Sequence, residues 1–135
     1  MPCNVADTVI AFEVVEHVSE RLIAIIDDDE SLRTALLGLV RSLGYRGLGF
    51  GSAEEFIAAA EAGESDCIVT DIQMQGLSGI DLTIKLAERG SRTPVILITA
   101  RSEPALLDRA RTSGAVCVLR KPFAADALIG CIEAA

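Results

Sequence analysis

The chain has 135 residues, half of them hydrophobic and only 4% aromatic, which suits one domain with a largely aliphatic core. Its formal net charge is −8 and its pI is about 4.6. Binding of a nucleic-acid backbone requires clustered Lys and Arg, and the sequence contains no basic run. We therefore expect no direct nucleic-acid binding by this chain.

Membrane insertion and secretion are also not expected. No apolar stretch approaches the roughly 18 residues of a membrane helix. The early acidic residues Asp7, Glu13 and Glu16 are untypical of a secretory signal. The four cysteines contain no C-x-x-C pair, so we expect reduced and mostly buried thiols and a cytoplasmic location. The cysteines are Cys3, Cys67, Cys117 and Cys131.

Residues 1–20 form an N-terminal extension whose secondary structure the sequence does not determine. Their apolar positions follow neither a helical nor a strand period, so an extra helix, an edge strand and a loose leader remain alternatives. The regular pattern begins at Leu22. We therefore assign residues 21–135 to one domain.

From Leu22 onward, short apolar runs alternate with segments of helical pattern. A continuous apolar run between helices predicts a strand that is buried on both faces of a parallel sheet. The predicted strands are Leu22–Ile26, Arg46–Phe50 (weakened by two glycines), Cys67–Thr70, Pro94–Ile98 and Val116–Leu119.

The helix boundaries follow from capping residues and glycines. Ser52 and Glu55 have the spacing of a capping box, Ser78 is a second cap, and Pro104 suits a first helical turn. Glycines mark the helix ends. We expect helices from Asp29–Ser31 to Gly44, from Ser52 to Gly63, from Ser78 through Ala87, from Pro104 to Gly114, and from Ala124 to Ala134.

This alternation predicts an α/β fold, a doubly wound five-stranded parallel sheet with helices on both faces. In such sheets, ligands bind outside the carboxyl ends of the strands. Charged and hydroxyl groups follow four of the predicted strands, and we expect them to meet at one edge. They are Asp27, Asp28 and Asp29, then Asp71, Thr99 and Lys121.

The grouped carboxylates indicate a cation and phosphoryl site. Two carboxylates about 4 Å apart repel by roughly 4 kcal/mol at an effective dielectric near 20, unless they are protonated or neutralised. Hard oxygen ligands of this kind suit Mg²⁺. Asp71 is a candidate nucleophile toward phosphorus, with Thr99 and Lys121 as phosphoryl contacts. The plainer interpretation is that Asp27 to Asp29 only begin a helix.

Four motifs together resemble a response-regulator receiver domain of two-component systems, of the nitrogen-fixation regulator type. They are Ile25–Glu30, Asp71–Gly79, Ile98–Ala100 and Lys121–Phe123. The resemblance covers nearly all of residues 21–135. It implies a flavodoxin-like fold with strand order 2-1-3-4-5 and no enzymatic activity beyond the domain's own phosphorylation and dephosphorylation.

The resemblance also implies residue roles. Asp71 would accept the phosphoryl group from a histidine kinase, with Thr99 and Lys121 contacting it. Asp27, Asp28 and Asp71 would hold Mg²⁺ together with the backbone carbonyl of Gln73. The Lys121–Pro122 peptide bond would be cis. The expected partners are the kinase and a downstream protein or output domain, and a phosphorylation-linked homodimer is a further expectation.

The sequence departs from the family pattern in three places. Gln75 stands where receivers usually carry Pro, Val118 stands where an aromatic switch residue is common, and the leader is unusual. Gln73 and Arg101 would flank the phosphoryl group and tune its lifetime. No output domain follows residue 135, so the chain is either free-standing, which we favour, or a truncated piece.

Two other functions are compatible with parts of the sequence. An unphosphorylated receiver-like adaptor fits the departures at Gln75 and Val118. An Mg²⁺-dependent phosphatase similar to haloacid dehalogenases fits Asp27–Ser31, which is similar to a D-x-D-x-T signature. However, the chain is too short for that fold together with its cap. Asp71 also precedes Thr99, whereas that family places its later acidic pair after the lysine.

Overall fold

The computed structural model describes residues 21–59 and 64–135. Five parallel strands form one sheet in the order β2-β1-β3-β4-β5, which confirms the predicted fold and strand order. Within the described residues, no helix is both long and apolar enough to cross a membrane. The strands are β1 (Leu22–Ile26), β2 (Arg46–Phe50), β3 (Cys67–Asp71), β4 (Val95–Thr99) and β5 (Cys117–Arg120).

Within residues 21–59 and 64–135, five helices connect or follow these strands. Asp29, Ser52 and Ser78 each cap a helix, and each side chain accepts the backbone N–H of the residue three positions later. Pro104 opens the fourth helix, as predicted. The helices are α1 (Glu30–Ser42), α2 (Ala53–Ala58), α3 (Gly79–Glu88), α4 (Pro104–Thr112) and α5 (Ala125–Ala134).

Both faces of the sheet are covered, because side chains alternate along each strand and β1, β3 and β4 are buried at every position. Each fully buried aliphatic side chain contributes roughly 1.5–3 kcal/mol. The cluster beneath α1 and α5 includes Ile23, Ile25, Leu36, Val40, Leu128 and Ile132. The cluster beneath α2, α3 and α4 includes Ala24, Ile26, Phe56, Ile80, Leu82 and Ala110.

Several predicted boundaries move by one residue or more. Asp71 belongs to β3 itself, and β5 begins at Cys117 rather than Val116. The second helix ends at Ala58 because Ala59 has an extended backbone. Its predicted end at Gly63 lies outside the described residues, as does the whole leader of residues 1–20.

The expectation of reduced thiols is wrong for two cysteines. Cys117 of β5 and Cys131 of α5 form a disulfide, with their Cα atoms 6.3 Å apart. That separation lies in the range that a disulfide spans. The pairing has no sequence signal, because only the packing of α5 on the sheet brings the two residues together. Cys67 is free and buried, and Cys3 lies outside the described residues.

Candidate functional site

Three carboxylates meet at the carboxyl ends of β1 and β3. The parallel register pairs Ile26 with Thr70, so the residues that follow, Asp27 and Asp71, are neighbours. Both are buried, whereas Asp28 is exposed. One oxygen from each of the three carboxylates lies within 4.8 Å of the others. The structure therefore forms the acidic cluster that the sequence predicted.

Hydrogen bonds hold Asp27 and the backbone around it in place. The Asp29 N–H donates to Asp27 Oδ1 at 2.9 Å, and Arg33 Nη1 donates to the Asp27 carbonyl at 2.7 Å. Asp29 itself caps α1 by accepting the Leu32 N–H at 3.2 Å. The helix-start interpretation is thus correct for Asp29, whereas Asp27 and Asp28 join the cluster.

Lys121 supplies the positive charge beside the cluster. Its Nζ lies 3.6 Å from Asp71 Oδ2 and 3.9 Å from Asp27 Oδ2. The residue follows β5 directly, and its N–H donates to the Thr99 carbonyl at 2.8 Å. The Lys121–Pro122 bond is cis, as the family pattern implied. One ammonium group therefore serves two buried carboxylates.

The buried carboxylates are harder to ionise than free ones. Burial and, to a smaller extent, the charge of Asp27 outweigh the opposing charge of Lys121 and raise the pKa of Asp71 from an ordinary 3.8 to about 6. Burial also raises the pKa of Asp27, while the hydrogen bond from Asp29 and the Lys121 charge lower it. The cluster thus carries unbalanced negative charge near neutral pH.

The two carboxylate oxygens of Asp71 have different surroundings. Its Oδ2 faces Lys121, but its Oδ1 is buried without a hydrogen-bond partner among the residues that the structure describes. A buried carboxylate oxygen is rarely left unpaired, because its desolvation is then uncompensated. The carboxylates of Asp71, Asp27 and Asp28 together form an all-oxygen donor set of the kind that Mg²⁺ prefers. The residues present therefore fit the ion.

Thr99 lies at the end of β4 and is fully buried. Its hydroxyl donates to Gln73 Oε1 at 3.0 Å and accepts the Arg101 N–H at 3.0 Å. The sequence placed Thr99 correctly at this edge. The sequence does not predict this partner, because the resemblance implies for Gln73 only a carbonyl ligand and a place beside the phosphoryl group. Its position two residues after Asp71 was the one available signal.

Residues 23–133 match the family described as response regulator receiver domain. The chain belongs to this family. It is therefore a receiver domain of two-component signalling, which confirms the resemblance carried by its four motifs.

Relatives of this receiver domain include response regulators. Nodulation protein W of Bradyrhizobium diazoefficiens is 34% identical over 89% of this chain and 53% of its own length. The transcriptional regulatory protein FixJ of the same organism is 35% identical over 84% of the chain and 55% of its own length. The chain thus spans about half the length of the curated relatives it matches.

Solved structures agree with the fold of this receiver. The structure titled FixJ-N superposes with a TM-score of 0.76 at 30% identity, covering 84% of this chain and 91% of that one. The Vibrio cholerae chemotaxis protein CheY4 gives a TM-score of 0.77 at 21% identity, covering 85% and 98% of the two chains. The latter likeness concerns the fold alone.

Two further positions of this receiver matter here: Arg101, which the resemblance puts beside the phosphoryl group, and Val118, which stands where an aromatic switch residue is common. Arg101 is held by Glu103, with Nη2 2.6 Å from Oε1, and it borders a crevice of about 530 Å³ beside Asp28 and Gln73. Val118 is half-buried in β5 and packs on the cluster beneath α2, α3 and α4. A small aliphatic side chain therefore fills the place of the aromatic switch residue.

Proposed function

We propose that this receiver domain accepts a phosphoryl group on Asp71 from the phosphohistidine of a histidine kinase and thereby changes its binding to a partner. The observation that carries the proposal is the buried Asp71 carboxylate, which has one oxygen without a partner and the other facing Lys121. In the reaction, an Asp71 oxygen bonds to phosphorus, the phosphorus–nitrogen bond breaks, and its electron pair returns to the imidazole. The product is an acyl phosphate.

Asp27, Asp28 and Asp71 would hold Mg²⁺, with the Gln73 carbonyl as a further ligand. When bound, the ion supplies positive charge that offsets both the carboxylates and the phosphoryl oxygens. The Lys121 ammonium, which already faces Asp71, would neutralise one phosphoryl oxygen. The Thr99 hydroxyl would donate to another once it leaves Gln73.

The proposed signal passes from the site to the surface of α4, β5 and α5. Phosphorylation adds charge at a crowded site and biases an element that has two arrangements, with typical coupling of ~1–3 kcal/mol. We propose a cytoplasmic domain spanning residues 21–135, with residues 1–20 as an extension. The partner that responds to phosphorylation is a downstream protein or an output domain. A second proposed response is homodimerisation of the receiver.

The proposal is tested by intact-protein mass spectrometry after incubation with acetyl phosphate. We expect the mass of one phosphoryl group in the presence of Mg²⁺ and no addition in EDTA. Digestion at low pH should then locate the group on the peptide that contains Asp71. An unchanged mass, with acetyl phosphate and with a panel of histidine kinases alike, would indicate the unphosphorylated adaptor instead.

A second test concerns the bond between Thr99 and Gln73. We expect Gln73→Ala to tighten binding of the phosphoryl mimic beryllium trifluoride about fivefold, because Thr99 then has no side-chain acceptor to leave and one neutral hydrogen bond is worth ~1 kcal/mol. The backbone carbonyl of residue 73 is retained. The affinity is measured by NMR titration in Mg²⁺.

The matched control for this test is the same change made in a Thr99→Ala background. Without the Thr99 hydroxyl, the Gln73 side chain has no donor to draw away from the phosphoryl mimic. The second substitution should therefore leave the affinity for beryllium trifluoride unchanged. An equal gain in both backgrounds would show that Gln73 acts by another route.

A further inference from the structure

The loop between Asp71 and α3 passes beside the phosphoacceptor and carries Gln73. Its far end is fixed, because the Gly79 N–H donates to the Ile72 carbonyl at 3.1 Å and a Cβ on Gly79 would collide with the Asp71 carbonyl oxygen. The middle of the loop has Gln75 where receivers usually carry Pro. The loop therefore lacks the fixed φ that a proline would provide.

A carboxylate from α2 holds the middle of this loop. Glu54 Oε2 accepts the Leu77 N–H at 2.9 Å, across 23 residues of sequence. This hydrogen bond is the main cause that lowers the pKa of Glu54. Gly76 has a φ of +78°, and a Cβ there would collide with the same carboxylate. The loop backbone thus curves closely around the Glu54 side chain.

Glu54 is not needed for capping its own helix. The Ser52 hydroxyl accepts the Glu55 N–H at 3.0 Å, and Glu55 Oε2 accepts the Gly51 N–H at 3.2 Å. The neighbouring carboxylate therefore completes the start of α2. This arrangement leaves Glu54 to reach the loop, and it gives the chain a matched pair of glutamates with different tasks.

We propose that Glu54 is a positioning residue of the phosphoacceptor site, which holds the Gln73–Ser78 loop in the conformation that keeps Gln73 beside Asp71 and Thr99. It acts in place of the missing proline, through a hydrogen bond instead of a ring. The inference rests on the proposed function, because its consequence is a better-ordered Gln73 carbonyl for Mg²⁺.

The test compares Glu54→Ala, Glu54→Gln and Glu55→Ala with the wild type. Without Glu54, we expect Leu77 amide exchange to speed up about tenfold in metal-free protein, and the Mg²⁺ dissociation constant, measured by calorimetry, to rise about three- to tenfold. Glu54→Gln keeps an acceptor and should stay close to wild type. Glu55→Ala should lower the melting temperature but leave both quantities unchanged.

A rescue completes the design. Adding Gln75→Pro to Glu54→Ala should restore most of the Mg²⁺ affinity, because the ring again restricts the loop. Wild-type Leu77 exchange and Mg²⁺ affinity in Glu54→Ala would overturn the proposal, as would an equal loss of affinity in Glu55→Ala. If the wild type takes up no phosphoryl group, the proposed function fails, whereas the exchange and calorimetric comparisons still decide the role of Glu54.

Discussion

Replacing Asp71 by Asn is expected to abolish phosphoryl uptake and also to stabilise the metal-free protein. The amide keeps the shape of the side chain but lacks the anionic oxygen that bonds to phosphorus. It also removes the charge whose burial and proximity to Asp27 raise the pKa of Asp71 to about 6. The same residue should thus cost folding stability and provide reactivity.

The pH dependence of this effect has a definite sign. Well below the ordinary pKa of 3.8, Asp71 is protonated in both the folded and the unfolded chain, so the substitution changes little. As the pH rises to about 6, the unfolded chain loses this proton first, and the folded state loses stability relative to Asp71→Asn. The difference should level off above that pH, at no more than about 3 kcal/mol.

Chemical denaturation in EDTA between pH 4 and 8 measures this difference directly. Adding Mg²⁺ should raise the stability of the wild type by mass action and have much less effect on Asp71→Asn. Equal stability of the two proteins across the pH range would contradict the description of Asp71 as a buried carboxyl whose ionisation destabilises the folded state.

Removal of Lys121 is expected to have the second-largest effect. Its Nζ is the cation nearest to Asp71 and Asp27 among the described residues, at 3.6 and 3.9 Å. Charge-assisted contacts are worth roughly 1.5–3 kcal/mol. Lys121→Ala should therefore slow labelling by acetyl phosphate about ten- to hundredfold while Asp71 remains in place.

The control for this prediction is Arg120→Ala, the neighbouring exposed cation at the end of β5. It removes one positive charge, as Lys121→Ala does, but Arg120 makes no ion pair with the cluster among those found in the described residues. Labelling should therefore stay near the wild-type rate. Initial rates from mass spectrometry separate the two variants. A similar decrease in both would indicate a general effect of charge rather than a contact with the phosphoryl group.

Much of the site was predictable because it depends on where strands end. Asp71 and Thr99 follow or end apolar runs, and parallel pairing brings such positions to one edge in any doubly wound sheet. The strand order came from the family resemblance. The weak prediction for β2 also has a simple cause: Gly49 leaves room for the Leu37 side chain of α1, which a Cβ would contact at 2.8 Å.

The contacts that the sequence did not reveal join side chains far apart in the chain. Glu54 and Leu77 are separated by 23 residues, and Gln73 and Thr99 by 26. Such pairs depend on the direction of each side chain and on the exact path of a loop. Periodicity and capping signals describe neither, so these contacts emerge only in three dimensions.

Val118 has a practical consequence for observing the switch. The chain has no Trp and a single Tyr, which lies between α1 and β2 and packs on the face opposite to Val118. A receiver with an aromatic switch carries its own optical reporter, whereas this one should change state with little change in intrinsic fluorescence. The methyl groups of Val118 and Thr99, isotopically labelled for NMR, are the probes that lie where we expect the two proposed states to differ.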